Sequence, residues 1–200
     1  MISIMRNTTN QRTATKEASH ERIVDVAARA IRRSGYDGTG VADIMKEAGL
    51  THGAFYAHFA SREAMLTEAA DRAGAQSNAA TVAAVASVAP QQAMETLIRA
   101  YLSKAHQDAS ETGCPIAALV SEMPRQSPEV RRAATRSIKG AIDLIAQQSP
   151  DWGQPAAHER ALVIAATLVG GLALARAVDE PALADKLREA TIQHLLTLAS

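Results

Sequence analysis

The chain has 200 residues, 47% of them hydrophobic and only 3% aromatic. That length and apolar content can bury a sizeable core, which excludes wholesale disorder, and the dominance of Ala and Leu over strand-favouring aromatics predicts an all-α fold without an extensive sheet. Basic and acidic side chains number 21 each, so bulk attraction to a polyanion is excluded and any nucleic-acid contact must rest on local geometry.

Residues 1–18 read as a flexible basic arm, with Arg6, Arg12 and Lys16 in a polar run that lacks apolar periodicity; the alternative is a terminus without function. The opening "MISIM" is too short for the apolar core of a secretory signal. A first helix is predicted from about His20 to Ser34, with Ile23, Ala27, Ala30 and Ile31 on its inner face. Arg22, Asp25, Arg29 and Arg32 face away, and Asp25 and Arg29 lie one turn apart. Gly35 is placed as its C-terminal cap. A short second helix carries Val41, Ile44, Met45 and Ala48 on one face, with Thr39 as a candidate start cap and Gly49 as its end. A third helix beginning at Thr51 sets Phe55 and Phe59 four residues apart, aimed at the core with Leu50. Both phenylalanines of the chain and one of its three tyrosines therefore fall in this segment. They are anchors for a thin element that must be held rigidly. Tyr56 projects sideways, and the face bearing Gly53, Ala54 and Ala57 is nearly bare. Two short helices joined by a glycine-containing turn make a helix-turn-helix, whose second helix enters the major groove.

The stretch "AGLTHGAFYAHFASREAML", from Ala48 to Leu66, resembles the end of the DNA-binding segment of the TetR family of bacterial one-component regulators, and the likeness extends over roughly residues 20 to 70. It rests on the turn glycine, Gly53 and Tyr56, the "HF" at His58 and Phe59, and Arg62 at the start of the next helix. The resemblance implies a helix-turn-helix domain over 19–65 and a larger helical ligand-binding and dimerisation domain over 66–200. It also implies that Thr51 and Tyr56 bond phosphates through their hydroxyls, that His58 and Arg62 contact the same backbone, that His52 reads a base edge, and that Gly53 allows close approach. For His58 the other reading is packing against a neighbouring helix, and for Arg62 a solvated charge. Gly40 departs from the hydroxyl residue common before the second helix, so capping or phosphate contact passes to Thr39.

Ser61 is predicted to cap a long helix reaching about Val88. Further helices are placed at about Gln91–Gln107, Cys114–Met123, Pro128–Gln148, His158–Val178 and Pro181–Leu198. The apolar run from Ala161 to Ala175 is shorter than the roughly 20 residues of a bilayer span and is closed by Arg160 and Arg176, so it is assigned to the protein interior. The last two helices are the expected homodimer surface, through small residues near Gly170 and Gly171 and through Leu183, Leu187, Ile192 and Leu195 or Leu196; completion of the monomer core is the alternative. Leu119, Val120, Met123 and Leu144 are candidates to line an effector pocket, with Tyr101, Trp152 and Cys114 giving selectivity. Two readings stand for Cys114: a thiol before the helix-starting Pro115 that senses an oxidant or electrophile, or a small buried apolar residue. The single cysteine agrees with a reducing compartment. No metal cluster, cofactor motif or catalytic nucleophile is legible.

The expectation is a cytoplasmic, dimeric regulator bound to double-stranded operator DNA, acting as a repressor that leaves a palindromic site when a small molecule or electrophile binds. No cofactor and no membrane are expected. The competing readings are a helical enzyme with its active site in the second half and an architectural DNA-binding protein without a ligand.

Overall fold

The structure, a computed structural model, describes the backbone of residues 2–199 and the side chains of residues 13–198. Among these the chain is helical, with no strand. The order is α1 (Ile2–Ser34), α2 (Val41–Glu47), a 3-10 helix (His52–Ala57), α3 (Arg62–Ala86), α4 (Pro90–Tyr101), α5 (Lys104–Asp108), α6 (Pro115–Leu119), a 3-10 turn (Met123–Arg125), α7 (Pro128–Ala146), α8 (Pro155–Ala177) and α9 (Pro181–Ala199).

The predicted basic arm is a correction: α1 begins at Ile2, not near His20. No glycine or proline precedes Gly35, and Arg, Gln, Lys, Glu and Ala are good helix formers, so nothing interrupts the helix. Its second half is enclosed on most sides, burying Ile23, Val24, Val26, Ala27, Ala28, Ala30 and Ile31. Arg32, expected to face away, is only 5% exposed. The predicted Asp25–Arg29 pair is replaced by pairs between helices: Asp25 with Arg72 of α3 at 2.6 Å and Arg29 with Glu47 of α2 at 3.5 Å. Gly35 ends α1 at φ 74°, a conformation that costs glycine little.

Two apolar clusters organise the molecule. One joins α1, α2, Phe55, Phe59 and the first half of α3, with Leu119, Val130 and Ala133 from the second half of the chain. The other gathers α4, Cys114, α7, α8 and α9 around Ile98, Leu102, Ile164, Leu168 and Leu195. The long α3 packs against both α1 and α7, and so stands between them. Ser61 caps it as predicted, accepting from Ala64 N at 3.1 Å.

The span predicted at 91–107 divides at Leu102, whose side chain is fully buried, and Ser103 then caps α5 by accepting from His106 N at 3.1 Å. Helix α8 is longer than its apolar run suggested: its 23 residues pass by length and composition as a candidate membrane span, with 33% of the apolar window buried. One face packs on α7 and α9. Gly171 lets α9 approach, since a Cβ there would lie 2.8 Å from Thr191 Cγ2. Gly170 faces open space, and Leu162, Val163 and Leu174 are exposed beside it. Ile192 and Leu195, expected at a subunit interface, lie inside the monomer core.

Candidate nucleic-acid interface and the cavity behind it

The segment after α2 forms a 3-10 helix, His52–Ala57, rather than the predicted α-helix. Its rings nevertheless take the predicted places. Phe55 and Phe59 are buried and stacked with centroids 5.5 Å apart, and Phe59 also stacks on His20 of α1 at 4.6 Å. These contacts press one side of the segment onto the core and turn the other to solvent. Thr51, His52, Gly53, Tyr56 and Ala57 are exposed there, with Tyr56 at 73%. The His52 and Tyr56 rings meet edge to face at 6.5 Å, and Tyr56 is braced edge-on against Phe55 at 5.3 Å. A Cβ on Gly53 would touch nothing within 4 Å, so internal packing does not require glycine at that position. Ala54 departs from the expected bare face, being half-buried against the core.

Three of the predicted DNA contacts are used inside the protein. Thr39 is 3% exposed and donates its hydroxyl to Gly35 O at 2.6 Å; the cap position of α2 is Gly40, without a side-chain bond. Thr39 therefore ties the α1–α2 turn to the end of α1. Arg62 reaches back to that turn, donating to Tyr36 O and, at 3.2 Å, to Thr39 O. A guanidinium held by carbonyls ties the α1–α2 turn to the start of α3, so in the DNA-free chain Arg62 is not simply a solvated charge. His58 is half-buried beside His20, ring centroids 5.9 Å apart, and its Nδ1 is buried without a hydrogen-bond partner. Burial pushes its pKa down, and the neighbouring His20 and Lys16 push it further. His58 thus packs beside α1 in the DNA-free chain.

Behind the reading head, α3, α4, α6, α7 and α8 line a cavity of about 290 Å³ that opens to solvent beside Val120, Leu162 and Ala166. Tyr101 and Cys114, two of the three predicted selectivity residues, share its wall, as do Val120 and Leu144. Met123 does not; it lines a neighbouring space of about 30 Å³ with Tyr36 and Leu119. Trp152 is a correction: it sits 54% exposed in the α7–α8 turn, away from both cavities, because its backbone closes a tight turn onto Ser149 O at 3.1 Å. Cys114 is 4% exposed, which matches the buried reading.

Sequence reasoning missed His106, whose ring bridges two parts of the cavity wall. Its Nε2 accepts from Cys114 N at 2.9 Å, so Nδ1 carries the proton and donates to Tyr101 O at 2.6 Å. Both nitrogens are used only in the neutral ring, and burial holds the pKa below the usual value of 6.5, with the nearby Arg176 guanidinium adding to the effect. The unfolded chain then binds a proton that the folded chain refuses. Stability is complete above the ordinary value and falls as the pH drops below it, with a limiting slope of about 1.4 kcal/mol per pH unit for one such group. The expected result is a melting temperature that falls between about pH 7.5 and pH 5.5, less steeply in His106→Gln, which keeps an acceptor for Cys114 N. Identical pH slopes for both proteins would remove His106 from the account.

Arg32 and Glu122 were also missed. Arg32 donates to Thr112 O at 3.5 Å, Gly113 O at 3.4 Å and Gln76 Oε1 at 2.7 Å. Glu122 accepts from Tyr36 N at 2.9 Å. Each joins the reading head to a segment flanking the cavity, and the only local signal was an arginine four residues after the core-facing Ala28.

Comparison with known proteins fits this arrangement. Residues 23–69 match the family described as bacterial regulatory proteins, tetR family, and residues 90–192 match the C-terminal domain described as transcriptional regulator LmrA/YxaF-like. No curated protein matches the chain. Among solved structures, the reduced form of E. coli NemR is similar at 19% identity and a TM-score of 0.77, covering 92% of this chain and 97% of that one. A TetR regulator from Chloroflexus aurantiacus is similar at 27% identity and a TM-score of 0.76, covering 92% and 95% respectively. A TetR-family regulator from Agrobacterium tumefaciens gives 18% identity, a TM-score of 0.73, and coverage of 90% and 98%. Its relatives are transcription factors rather than enzymes. With both the helix-turn-helix and more than half of the chain beyond it matched, the protein belongs to the TetR family of DNA-binding transcriptional regulators.

Proposed function

We propose that this regulator is a cytoplasmic repressor that binds a palindromic operator as a homodimer and leaves it when a small molecule occupies the cavity lined by Tyr101 and Cys114. The observation that carries this reading is the hydrogen-bonded bridge from Arg32 of α1 to Thr112 and Gly113, the residues directly before Cys114 in the cavity wall. A ligand that shifts this wall has a direct mechanical route to the helix on which the recognition segment rests. Thr51 and Tyr56 bond phosphates, His52 reads a base edge, and Gly53 lets the protein backbone approach the DNA closely. The exposed apolar residues of α8 and α9 pair with a second copy, so that two recognition segments face two half-sites.

Selection of binding sites from randomised duplexes tests this directly, with a two-fold symmetric consensus as the expected outcome. On that consensus Tyr56→Phe, a change at a residue 73% exposed, leaves the fold intact and weakens binding by about 1 kcal/mol at matched salt. Unchanged affinity would remove Tyr56 from the interface.

The electrophile reading of Cys114 is a narrower form of the same proposal, since the buried thiol is reached through the cavity. Operator release by a mild electrophile is then lost in Cys114→Ala while operator affinity is kept. Release from both proteins would leave Cys114 as an apolar wall residue.

A further inference from the structure

The cavity wall, among the described residues, has no Arg, Lys, His, Asp or Glu side chain. Its polar groups are few: the Tyr101 hydroxyl, the Cys114 thiol, and Ser77, Asn78, Thr81 and Ser137. Thr81 already donates to Ser77 O at 3.2 Å. The Tyr101 hydroxyl is different: it is buried without a hydrogen-bond partner, beside a thiol that is at best a weak one. Burial is the main reason its pKa is raised, with the Cys114 sulfur adding to the shift, so the phenol keeps its proton throughout the physiological range. Its backbone is fixed from behind by His106, which donates to Tyr101 O at 2.6 Å and meets the ring edge-on with centroids 4.8 Å apart. A protonated donor without an acceptor thus borders a mainly apolar cavity, and a buried donor left in that state costs free energy that a ligand oxygen would restore.

Charge complementarity excludes ionic occupants. A carboxylate would accept from Tyr101 but would lose its hydration with no cation in the wall to replace it. The Arg176 guanidinium directs its donors to His106 O at 2.7 Å, Gln107 O at 3.1 Å and Ala109 O at 3.4 Å, and Arg32 directs its own to Ala28 O, Gln76 Oε1, Thr112 O and Gly113 O, all outside the residues that line the cavity. A cationic ligand finds no carboxylate. Size narrows the class further: about 290 Å³ is roughly twice the ~150 Å³ that holds one benzene ring, which suits two fused rings with a short substituent.

We infer that the cavity takes an uncharged, compact and mainly apolar molecule of roughly a dozen non-hydrogen atoms, whose one carbonyl-type oxygen accepts a hydrogen bond from the Tyr101 hydroxyl. The inference rests on reading this cavity as the effector site and names the class of effector.

Calorimetric titration with three probes of nearly equal size tests it: 2-acetylnaphthalene, 2-ethylnaphthalene and 2-naphthoate. The wild type is expected to bind the ketone about tenfold more tightly than the hydrocarbon, the worth of one buried hydrogen bond, and the carboxylate more weakly than either. Tyr101→Phe should equalise ketone and hydrocarbon while leaving the hydrocarbon affinity within about twofold, since the ring that packs the wall is unchanged. Ala166→Trp, which places a large side chain at the exposed rim of the cavity, should block both neutral probes. Carboxylate binding equal to ketone binding, a ketone preference that survives in Tyr101→Phe, neutral-probe binding that survives Ala166→Trp, or no binding of either neutral probe each overturns the inference. A ketone that binds with the expected signature yet leaves operator affinity unchanged refutes the effector reading and leaves the ligand class standing.

Discussion

Leu174→Glu is expected to turn a dimer into a monomer and to lower operator affinity by about 100-fold, because two half-sites are no longer held by one particle. Leu174 is 56% exposed on α8, and Leu162, Val163, Leu183 and Leu198 are exposed on the same pair of helices at 45%, 53%, 40% and 36%. Val163 and Leu198 border one groove, which shows that the start of α8 lies beside the end of α9. Gly171 against Thr191 fixes the same antiparallel register further along. Leu162 lines the cavity, whereas Val163 and Leu174 lie on one face of α8 beside Leu198 of α9, since eleven residues bring a helix about 20° from whole turns. A surface of that kind marks an interaction site. A carboxylate in its middle would be buried without a partner on dimerisation, at a cost of several kcal/mol. It would stay in water in the monomer. The fold should consequently survive while association fails, which separates this variant from core substitutions. Sedimentation velocity and operator titration give the two readouts; a dimer of wild-type affinity would show that subunits pair elsewhere.

Proline marks most helix starts of the second half, Pro90, Pro115, Pro128, Pro155 and Pro181 each occupying the first turn of a helix, although α8 was expected only from about His158. The break between α4 and α5 was not legible. Leu102 and Ser103 carry no helix-breaking chemistry, and the chain turns there because Leu102 is drawn into the core and Ser103 caps α5. The recognition segment shows a similar division. Its two phenylalanines announced which side is inside, since burial follows from side-chain type and spacing. The 3-10 geometry did not, as six residues between Gly49 and Ser61 fit either helical form. At the site, exposure separated residues that motif position alone could not: Thr51, His52, Gly53 and Tyr56 face solvent, whereas Thr39, His58 and Arg62 serve the packing of the head. Arg32 illustrates what a sequence withholds. A guanidinium on an amphipathic helix is assigned to water unless a partner is known, and its partners are carbonyls 80 and 81 residues away.

That arginine gives the second large expected effect. Arg32→Met keeps the unbranched apolar stem of the side chain and its helix propensity but removes the donors that reach Ala28 O at 2.9 Å, Gln76 Oε1 at 2.7 Å, and the carbonyls of Thr112 and Gly113. Arg32 is 5% exposed, so those acceptors lose partners in a place that water reaches poorly, and a destabilisation of about 2–4 kcal/mol is expected. The adjacent Arg33 is the internal control. It pairs with Glu111 at 2.9 Å and Glu47 at 3.1 Å, but the side chains in these contacts are 37–41% exposed, so Arg33→Met should cost under about 1 kcal/mol. The two neighbours differ in function as well as stability. Arg33 ties surface to surface, whereas Arg32 joins α1 to the backbone that enters the cavity wall at Cys114. In Arg32→Met, at a temperature where it remains folded, 2-acetylnaphthalene should still bind the cavity but should no longer weaken operator affinity, because the wall can move without carrying α1 with it. Amide hydrogens of residues 103–113 should exchange faster in this variant and at the wild-type rate in Arg33→Met. A fully stable Arg32→Met protein, or one whose operator affinity responds to the ketone as the wild type's does, would move the coupling to the other connection, where Glu122 holds Tyr36 N.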